Sequence, residues 1–458
     1  AAGIAATQLR SRSASARTTT IERDVCVIGG GSSGTFTAVH LRDAGKSVVV
    51  VERKQRLGGH TETYVDPGTG IPTDIGVVVF HSLPVVTDYF ARFGVPLVGL
   101  PPGAFNGTNV NFDFRTGQIQ NFTPPSQAAV GQALGAYFGY LQQLKATYFD
   151  LDSSFDLPNP VPTDLTMKFS DFVAKYSFGP MVNSAFQFGQ GTGDILNMPT
   201  VYLLKVFSAQ VVSSIFGGSF LSCPNGNSEI YEKATQFLGD DVLFGSNVVG
   251  VERDKNGVTV HVGTPEGRQV IRAKKLVVTC PPALDNLSSF DLDRLETSTL
   301  GRFRPNFYYT GILKLDGVQP GLSVTNSDAH SLYNLPQLPG LYGISPTRVP
   351  GLWNVKFGST IPLSDFEVKA TIVSQIHRLS DATYFPSRPR VLDITTFSAH
   401  TPFELHVRAD EIAQGFYGTL NALQGRNHTY YNGAAFQTHD SSLIWQYTLD
   451  HVLPLLLA

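Results

Sequence analysis

Three glycines near the start of the chain have the spacing of a site for a nucleotide diphosphate. Gly29, Gly31 and Gly34 follow a short apolar run, residues 25–28, and precede a helical pattern. The first glycine permits a tight turn, the second lets a phosphate approach the backbone, and the third lets the helix pack on the strand. The first helical turn, which includes Ser33, would offer free N–H groups to the anion.

An acidic residue lies where such a site needs a partner for ribose. A second β-rich run, residues 47–51, ends at Glu52, 18 residues beyond Gly34. A carboxylate there accepts hydrogen bonds from a ribose hydroxyl and repels a 2′-phosphate, so NADP is disfavoured. Residues 30–34 also match the Gly-x-Ser-x-Gly pattern of a nucleophilic serine, here Ser32. Only the nucleotide interpretation also predicts Glu52, and it is therefore preferred.

The residues after this acid resemble those of a known family. Arg53 is followed by Gly58, Gly59 and His60, and an Asp-Ile-Gly element occupies residues 74–76. This order resembles the flavin-containing amine oxidase superfamily, whose members carry an acid, a basic residue and a Gly-Gly-Arg or Gly-Gly-His motif. The resemblance implies that the cofactor is FAD and that the second glycine pair approaches its diphosphate and isoalloxazine.

Two later segments extend the resemblance along the chain. Within residues 226–282, a β-rich run precedes an Asn-Gly hairpin signal, and the resemblance implies that the backbone of Val248 holds the adenine. Residues 430–456 look like the family's terminal element, which implies that Gly433 and Ala434 lie under the flavin. The Gly-Gly-His form is closest to the subgroup of fungal beta-cyclopiazonate dehydrogenase and polyenoic fatty acid isomerase.

The order of these motifs predicts an α/β fold with two interleaved domains in the 458 residues. One is a Rossmann-like FAD-binding domain, a parallel sheet with flanking helices, and the other is an α+β substrate-binding domain. The FAD-binding domain is predicted to comprise residues 21–100, 220–297 and 396–458. The substrate-binding domain is predicted to comprise residues 101–219 and 298–395, and residues 1–20 are predicted to be a flexible tail.

Composition excludes several classes of partner. The chain has 34 basic and 37 acidic residues, a net charge of −3, so it lacks the basic excess that nucleic-acid binding needs. The most apolar stretch, residues 201–221, is interrupted by Lys205 and Gln210, so no transmembrane segment is predicted. With 31 Phe and 17 Tyr, the chain can instead line a pocket for a hydrophobic small molecule.

Two histidines are candidate acid or base groups beside the cofactor. His60 ends the Gly-Gly-His motif, and His400 lies in a Ser-Ala-His-Thr-Pro segment; either side chain could exchange a proton with a substrate. His60 could also tether the flavin covalently, or could replace the motif's arginine and only bind phosphate or backbone. His81 has the same two interpretations, a pocket group or a structural one.

The three cysteines have no CxxC spacing, and no metal site is predicted. Cys223 is either a second candidate tether for the flavin or a small buried thiol. Cys26 and Cys280 are predicted to lie in core strands. Trp445, in the expected terminal helix, is predicted to be a packing residue.

No second dinucleotide fingerprint follows the first. Residues 189–193 are glycine-rich but lack the spacing and the preceding strand, so they are predicted to form a loop. The function expected is therefore an FAD-dependent oxidoreductase that transfers a hydride from a hydrophobic small molecule, such as a secondary metabolite, to flavin N5. Molecular oxygen or another acceptor would reoxidise the flavin. The alternatives are a redox-neutral isomerase of polyunsaturated fatty acids and an FAD-bound, non-catalytic binding protein.

Surface composition favours a secretory location. Only 16% of the residues are charged, and the chain begins with Ala. Four Asn-x-Ser/Thr sequons are acceptors for glycosylation in the secretory pathway, and they lie at Asn106, Asn121, Asn286 and Asn427. These features predict a secreted fungal glycoprotein.

Overall fold

The β-branched runs of the chain form two seven-stranded sheets in a computed structural model that describes residues 19–100 and 108–458. Most of the predicted tail and the sequon at Asn106 lie outside these residues. The predicted α/β class and the Rossmann-like parallel sheet are confirmed.

The first sheet has a parallel core. Val48–Val51 is buried on both faces, as expected for a strand covered by helices on each side. The predicted Asn-Gly hairpin connects the antiparallel strands Asn247–Asp254 and Gly257–Thr264, with Asp254 opposite Gly257. In sheet order the strands are Val242–Leu243, Val48–Val51, Thr19–Ile28, Gly267–Val278, Gly257–Thr264 and Asn247–Asp254, and Thr429–Tyr431 also pairs with Gly267–Val278.

Helices cover this sheet. Ser32–Asp43 begins directly after the glycine turn and contacts Val48–Val51. Trp445 is fully buried, with its ring stacked 5.4 Å from those of Phe36 and Phe80, so its packing role is confirmed. The other helices of this part are Pro84–Arg92, Glu229–Leu238, Arg294–Leu300, Ala409–Ala413, Phe416–Asn421, Ser441–Tyr447 and Leu453–Leu457, the last two joined by a π-turn at Thr448–Val452.

The second sheet is mainly antiparallel, and one face packs against the helix Asp365–Arg378. That helix begins with a capping box. The side chain of Ser364 accepts the backbone N–H of Glu367, and the side chain of Glu367 accepts the backbone N–H of Ser364. The runs predicted at 308–315 and 352–357 are strands of this sheet. In order its strands are Arg390–His400, Phe307–Asp316, Leu352–Ser359, Gly340–Pro346, Leu322–Asn326, Thr108–Asp113 and Gln118–Ile119.

The part of the chain between the Gly-Gly-His motif and residues 226–282 is mainly helical, as the apolar spacing at 128–148 and 168–176 predicts. Besides Pro84–Arg92, its helices are Gln127–Thr147, Thr163–Thr166, Phe169–Tyr176, Val182–Phe188, Thr200–Val206 and Ala209–Gly217. Among the described residues, Thr200–Gly217 alone is long and apolar enough for a membrane span, but 61% of it is buried inside the protein. Short strand pairs complete the fold: Thr63–Val65 with Pro72–Asp74, Phe80–His81 and Val98–Gly99 with Phe220–Ser222, and Arg304–Pro305 with Leu405–His406.

One strand links the second sheet to the glycine-rich region. Arg390–His400 pairs with Phe307–Asp316 along its whole length, placing Tyr308 opposite His400. The strand therefore runs across the domain boundary predicted at residues 395 and 396. It delivers its last residues to the site described next.

Candidate functional site

The first glycine turn is held by very close backbone packing. Gly29 has a φ of +100°, which favours glycine. A Cβ on Gly34 would lie 1.9 Å from the carbonyl oxygen of Gly29 and 2.6 Å from Oγ1 of Thr279. The Thr279 hydroxyl donates to the Gly29 carbonyl at 2.8 Å. The turn therefore lets the helix start directly against the end of the strand.

The second glycine turn packs on the first. Gly58, with a φ of +107°, donates its N–H to the carbonyl of Gly30 at 2.8 Å. A Cβ on Gly59 would come within 2.8 Å of the Cα of Gly31. Two turns that are distinct in the sequence thus form one surface of bare backbone, which we call the glycine cradle (residues 29–34 and 58–59).

Glu52 ties this cradle together. Its Oε2 accepts the N–H of Gly30 at 2.7 Å, and its Oε1 accepts the N–H of Lys54 at 2.7 Å. Each carboxylate oxygen has a second lone pair, so Glu52 can still accept from a ribose hydroxyl. Its carbonyl accepts the N–H of Ser246 at 3.0 Å, two residues before the half-buried Val248.

A clamp that the sequence analysis missed fixes the second turn. Lys54 Nζ and Arg56 Nη2 both donate to the carbonyl of Gly59, at 3.2 and 3.1 Å. Both cations also pair with Glu62, at 2.9 and 2.5 Å. Glu62 in turn accepts the hydroxyl of Ser398 at 2.7 Å. The turn is thereby anchored to the linking strand of the second sheet. Arg53, which the sequence placed at the cofactor, is exposed.

The two histidines named from the sequence are brought together. The ring centroids of His60 and His400 lie 4.2 Å apart, and His439, which sequence reasoning missed, stacks 6.4 Å from His60. Burial lowers the pKa of His400 to about 3, helped by the charges of Lys54 and Arg56. Burial and the other two rings hold the pKa of His60 well below its usual value. Burial lowers the pKa of His439 to about 4, so all three rings are neutral at pH 7.

Aromatic side chains wall this group of histidines. Phe403 stacks 3.8 Å from His439 and lies 5.0 Å from Tyr308. A Cβ on Gly191 would lie 2.5 Å from the Phe403 ring, and Gly191 N–H donates to the hydroxyl of Tyr342 at 3.0 Å. The glycine-rich residues 189–193 form a loop, as predicted, and that loop is one wall. We call the group formed by His60, Tyr308, His400, Phe403 and His439 the histidine pocket.

A half-buried lysine lies on the same face of the second sheet as Ser398. Thr310 lies opposite both Lys356 and Ser398 in the second sheet, and directly opposed side chains share a face. Because Ser398 bonds Glu62, that face points towards the glycine cradle. Burial lowers the pKa of Lys356. The sequence carried no signal for this residue, which sits in an ordinary strand pattern.

The terminal element approaches from the other side. Gly433 has a φ of +119°, and a Cβ on it would lie 3.3 Å from Oγ of Ser33. Ala434 follows it, half-buried against the core. The predicted terminal element is therefore adjacent to the first turn of the nucleotide-binding helix, and five residues after Ala434 the chain reaches His439 in the histidine pocket.

Both ring nitrogens of His81 have hydrogen-bond partners in the protein. Its Nε2 lies 2.8 Å from Oδ2 of Asp440, and its Nδ1 lies 2.8 Å from the hydroxyl of Ser214. Burial alone would lower the pKa of His81, but the carboxylate of Asp440 raises it above the usual value. Asp440 Oδ1 also caps the helix Ser441–Tyr447. His81 is therefore a structural residue, which bonds the carboxylate that caps the terminal helix.

One of the three cysteines, Cys280, does not lie in a core strand as predicted. Cys26 is fully buried in a strand, as predicted. Cys280 lies beyond the end of the strand Gly267–Val278 and is only half-buried, because residue 279 leaves the sheet to bond the glycine turn. The thiol of Cys223 is buried and donates to Glu229 at 3.2 Å, and burial raises its pKa to about 12.

No three His, Cys, Asp or Glu side chains are placed to hold a metal ion within residues 19–100 and 108–458. The candidate site consists of the two adjoining regions described above. One is a bare-backbone cradle with an acid at the ribose position, and the other is a pocket of neutral histidines and aromatic rings.

Comparisons with known proteins agree on one family. The profile of "Flavin containing amine oxidoreductase" matches residues 32–315. The FAD-dependent oxidoreductase oblC of Cochliobolus heterostrophus is 41% identical over 451 residues, covering 96% of this chain and 92% of that protein. Beta-cyclopiazonate dehydrogenase of Aspergillus oryzae is 34% identical, covering 95% and 93%. The CLA-producing fatty acid isomerase from P. acnes shares the fold, with a TM-score of 0.75, 18% identity, and coverage of 94% and 98%.

Proposed function

The chain belongs to the flavin containing amine oxidoreductase family, and we propose that the hydrogen donor it oxidises is a hydrophobic small molecule held in the histidine pocket. The protein is an FAD-dependent oxidoreductase. The observation that carries the proposal is that the second glycine turn leads directly into His60, so the cradle and the pocket adjoin. Its aromatic rings favour an apolar substrate such as a secondary metabolite.

The residues of the cradle fit FAD. A diphosphate needs backbone with no side chain in the way, and a Cβ on Gly59 would fill the gap to Gly31. A ribose needs an acceptor, and Glu52 has lone pairs left after its two backbone bonds. The residues that we propose to contact FAD are Gly29, Gly31, Ser33, Gly34, Glu52, Arg53, Gly58, Gly59, His60, Val248, Gly433 and Ala434.

When bound, FAD supplies the hydride acceptor. The protein's part is to orient a substrate C–H bond, exclude water and accept the accompanying proton. His60 and His400 are neutral, so each ring offers one nitrogen lone pair. His400 Nε2 is buried and has no hydrogen-bond partner in the described part of the chain, which leaves it available to a substrate hydroxyl or amine.

Of the two candidate tethers for a covalent flavin, the geometry favours His60. It continues the cradle, whereas the Cys223 thiol is already bonded to Glu229 and its raised pKa opposes the thiolate form. Acid precipitation of purified protein tests this. Yellow colour that stays in the pellet of the wild type and leaves that of His60→Ala supports the tether, and colour released from the wild type rules it out.

Anaerobic photometry tests the proposed substrate class. We expect bleaching of the flavin band with one member of a panel of indole alkaloids, apolar amines and polyunsaturated fatty acids, followed by recovery on admission of oxygen or another acceptor. A molecule that is rearranged in turnover without oxygen consumption would support the isomerase alternative instead. Absence of any flavin reduction across a wide apolar panel would contradict the proposal.

A secretory location is a separate part of the proposal. Asn121 is exposed, as glycosylation requires, while the exposed Asn286 and Asn427 donate side-chain hydrogen bonds to neighbours. We expect an endoglycosidase to shift the mobility of protein secreted from a fungal host, with a smaller shift for Asn121→Gln. An unshifted band in both proteins would contradict glycosylation.

We also propose the two interleaved domains as folding units. The first sheet draws strands from residues 19–51, 242–278 and 429–431, so a cut at the middle of the chain divides it. Neither half should then give a cooperative thermal transition when expressed alone. A cooperative transition from the first half would contradict the interleaved arrangement.

A further inference from the structure

A lysine in the middle of the second sheet has no partner in the described part of the chain. Lys356 lies in the strand Leu352–Ser359, between Thr310 on one neighbouring strand and Gly343 on the other. It is half-buried, and its ammonium group forms no hydrogen bond or ion pair with any described residue. Lysine is mostly found exposed or paired. The side chain is therefore a candidate for binding an anion that these residues do not supply.

The face of the sheet that carries Lys356 also carries two residues of the histidine pocket. Lys356 is directly opposite Thr310, and Thr310 is directly opposite Ser398. Two residues away on the same strands, Tyr308 is opposite His400. Residues two apart in a strand point to the same face and lie about 7 Å apart. Lys356 and Thr310 therefore lie next to Tyr308 and His400 on one face.

The opposite face of the same strand belongs to the apolar core. Val355 and Phe357, the sequence neighbours of Lys356, are in the cluster that packs against the helix Asp365–Arg378. Successive side chains of a strand point to opposite faces. Lys356 therefore points away from that core and towards the side on which the glycine cradle lies.

Aromatic rings cover the part of this face beside Lys356. Gly358 follows Lys356 by two residues, and a Cβ on it would lie 2.3 Å from the hydroxyl oxygen of Tyr342. The Tyr342 ring lies 6.2 Å from that of Tyr308, which lies 5.9 Å from the ring of His400. An apolar body that rests on these three rings would bring one of its substituents close to Lys356.

Two neighbours of Lys356 also have unused hydrogen-bonding atoms. Oγ1 of Thr310 and Oδ1 of Asn354 are buried and have no partner in the described part of the chain. Thr310 lies directly across from Lys356, and Asn354 precedes it by two residues on the same face. Most buried polar atoms in proteins are hydrogen-bonded, so adjacent groups without partners indicate a site for a polar ligand. A hydroxyl and a side-chain amide can both donate to an anionic oxygen.

The acid that this face contacts is already neutralised. Glu62 accepts the hydroxyl of Ser398 and pairs with Lys54 and Arg56, and it forms no ion pair with Lys356. Burial lowers the pKa of Lys356, and an anion bound beside the ammonium group would raise that pKa again. The diphosphate of FAD is assigned to the glycine cradle, so the anion at Lys356 belongs to the substrate.

We propose that Lys356, Thr310 and Asn354 form a subsite, which we call the lysine subsite, that binds a carboxylate of the substrate. The subsite rests on the proposed function: the apolar body of the substrate lies on the rings of the histidine pocket, and its carboxylate reaches the next pair of residues along the sheet. The substrate class is therefore an apolar organic acid. A cationic amine is disfavoured, because the charge of Lys356 would repel it.

Matched pairs of probes test the lysine subsite without turnover. Phenylbutyrate and decanoate are each compared with the corresponding amide, which has nearly the same shape and no charge. Each probe is titrated into oxidised holoenzyme, and its dissociation constant is read from the change in flavin absorbance. In the wild type we expect each acid to bind at least about tenfold more tightly than its amide, because hydrogen bonds to a charged group are the stronger ones.

Substitutions at Lys356 assign the preference to this side chain. Lys356→Met should weaken the binding of each acid by about tenfold and leave the binding of its amide unchanged. Lys356→Arg keeps the charge and should keep a preference for the acid. The control is Lys314→Met, at an exposed lysine of the neighbouring strand Phe307–Asp316, which should alter neither affinity.

Thr310→Val separates binding from a structural role, even if Lys356→Met does not fold. The Thr310 hydroxyl has no partner among the described residues, so the valine of the same shape should leave flavin content and thermal stability unchanged or raised. The affinity for each acid should still fall by about threefold or more, because one hydrogen bond to the carboxylate is lost.

Three results would overturn the lysine subsite. They are equal affinity for acid and amide in the wild type, no change of flavin absorbance with either acid, and a preference for the acid that persists in Lys356→Met. Failure of the proposed function is distinguishable, because it would appear as absence of flavin reduction across the substrate panel. That outcome leaves the ratio of acid to amide affinity measurable in the oxidised holoenzyme.

Discussion

The glycine cradle and the histidine pocket adjoin, but they are built by opposite means. The cradle uses backbone: Gly34 and Gly59 are there because a side chain would collide with the neighbouring turn. The pocket uses side chains whose protonation is shifted by burial, such as His400. The difference predicts that the cradle responds to added volume and hardly to pH, whereas the pocket responds to pH and tolerates modest changes of shape.

The largest effect should come from adding one methyl group to the cradle. The Cβ of Gly34→Ala would lie 1.9 Å from the Gly29 carbonyl oxygen, which is backbone and cannot move aside alone. We expect loss of bound flavin and destabilisation by about 4 kcal/mol or more, as for severe overpacking. Flavin absorbance per protein and urea unfolding measure the two effects.

The matched control for this substitution is Gly135→Ala. Gly135 is exposed within the helix Gln127–Thr147, and apart from its chain neighbours and the backbone of that helix no described atom lies within 4 Å of its would-be Cβ. Alanine is the better helix former, so we expect stabilisation by about 0.5–1 kcal/mol. Equal behaviour of the two alanine variants would remove the packing argument for the cradle.

A smaller effect should come from neutralising the acid of the cradle. Glu52→Gln places an amide between the N–H groups of Gly30 and Lys54, so one donor faces another donor. Charge-assisted hydrogen bonds of this kind contribute about 1.5–3 kcal/mol. We expect FAD affinity to fall roughly 10- to 100-fold in titrations of apoprotein. Glu22→Gln, at an exposed residue of the neighbouring strand Thr19–Ile28, is the control. Unchanged affinity would show that Glu52 does not face the ribose.

The histidine pocket should make the free energy of unfolding depend on pH. His400 has a folded pKa of about 3 against 6.5 when unfolded, so the unfolded chain binds the extra proton between those values. Stability therefore falls as pH drops below 6.5, by about 1.4 kcal/mol per pH unit for each such histidine. We expect His400→Gln to flatten this slope in urea unfolding between pH 6.5 and 4.5. The slope change produced by His261→Gln, outside the pocket, is subtracted as the control.

The two regions also differ in how far the sequence predicts them. Gly29, Gly34 and Glu52 act through local spacing, so a single fingerprint locates them, and the fold class follows from that strand–turn–helix unit. His439 and Glu404 come from separate segments that meet only in the folded chain. Lys205 is noticed in the sequence only as an interruption of an apolar run, because the burial of a single ionisable side chain leaves no periodic pattern.

The smallest effect tests the boundary between the two regions. The Cys223 thiol donates to Glu229, and Asn225 donates to the same carboxylate oxygen at 3.0 Å. In Cys223→Ser a hydroxyl replaces the thiol as donor, so we expect stability to change by less than about 1 kcal/mol and flavin content to stay the same. If flavin were instead released by acid from Cys223→Ser but not from the wild type, the tether would lie at this turn. That result would contradict placement of the isoalloxazine at the histidine pocket. Gly226 and Ser228, which follow Cys223, contact Thr63 and not His60.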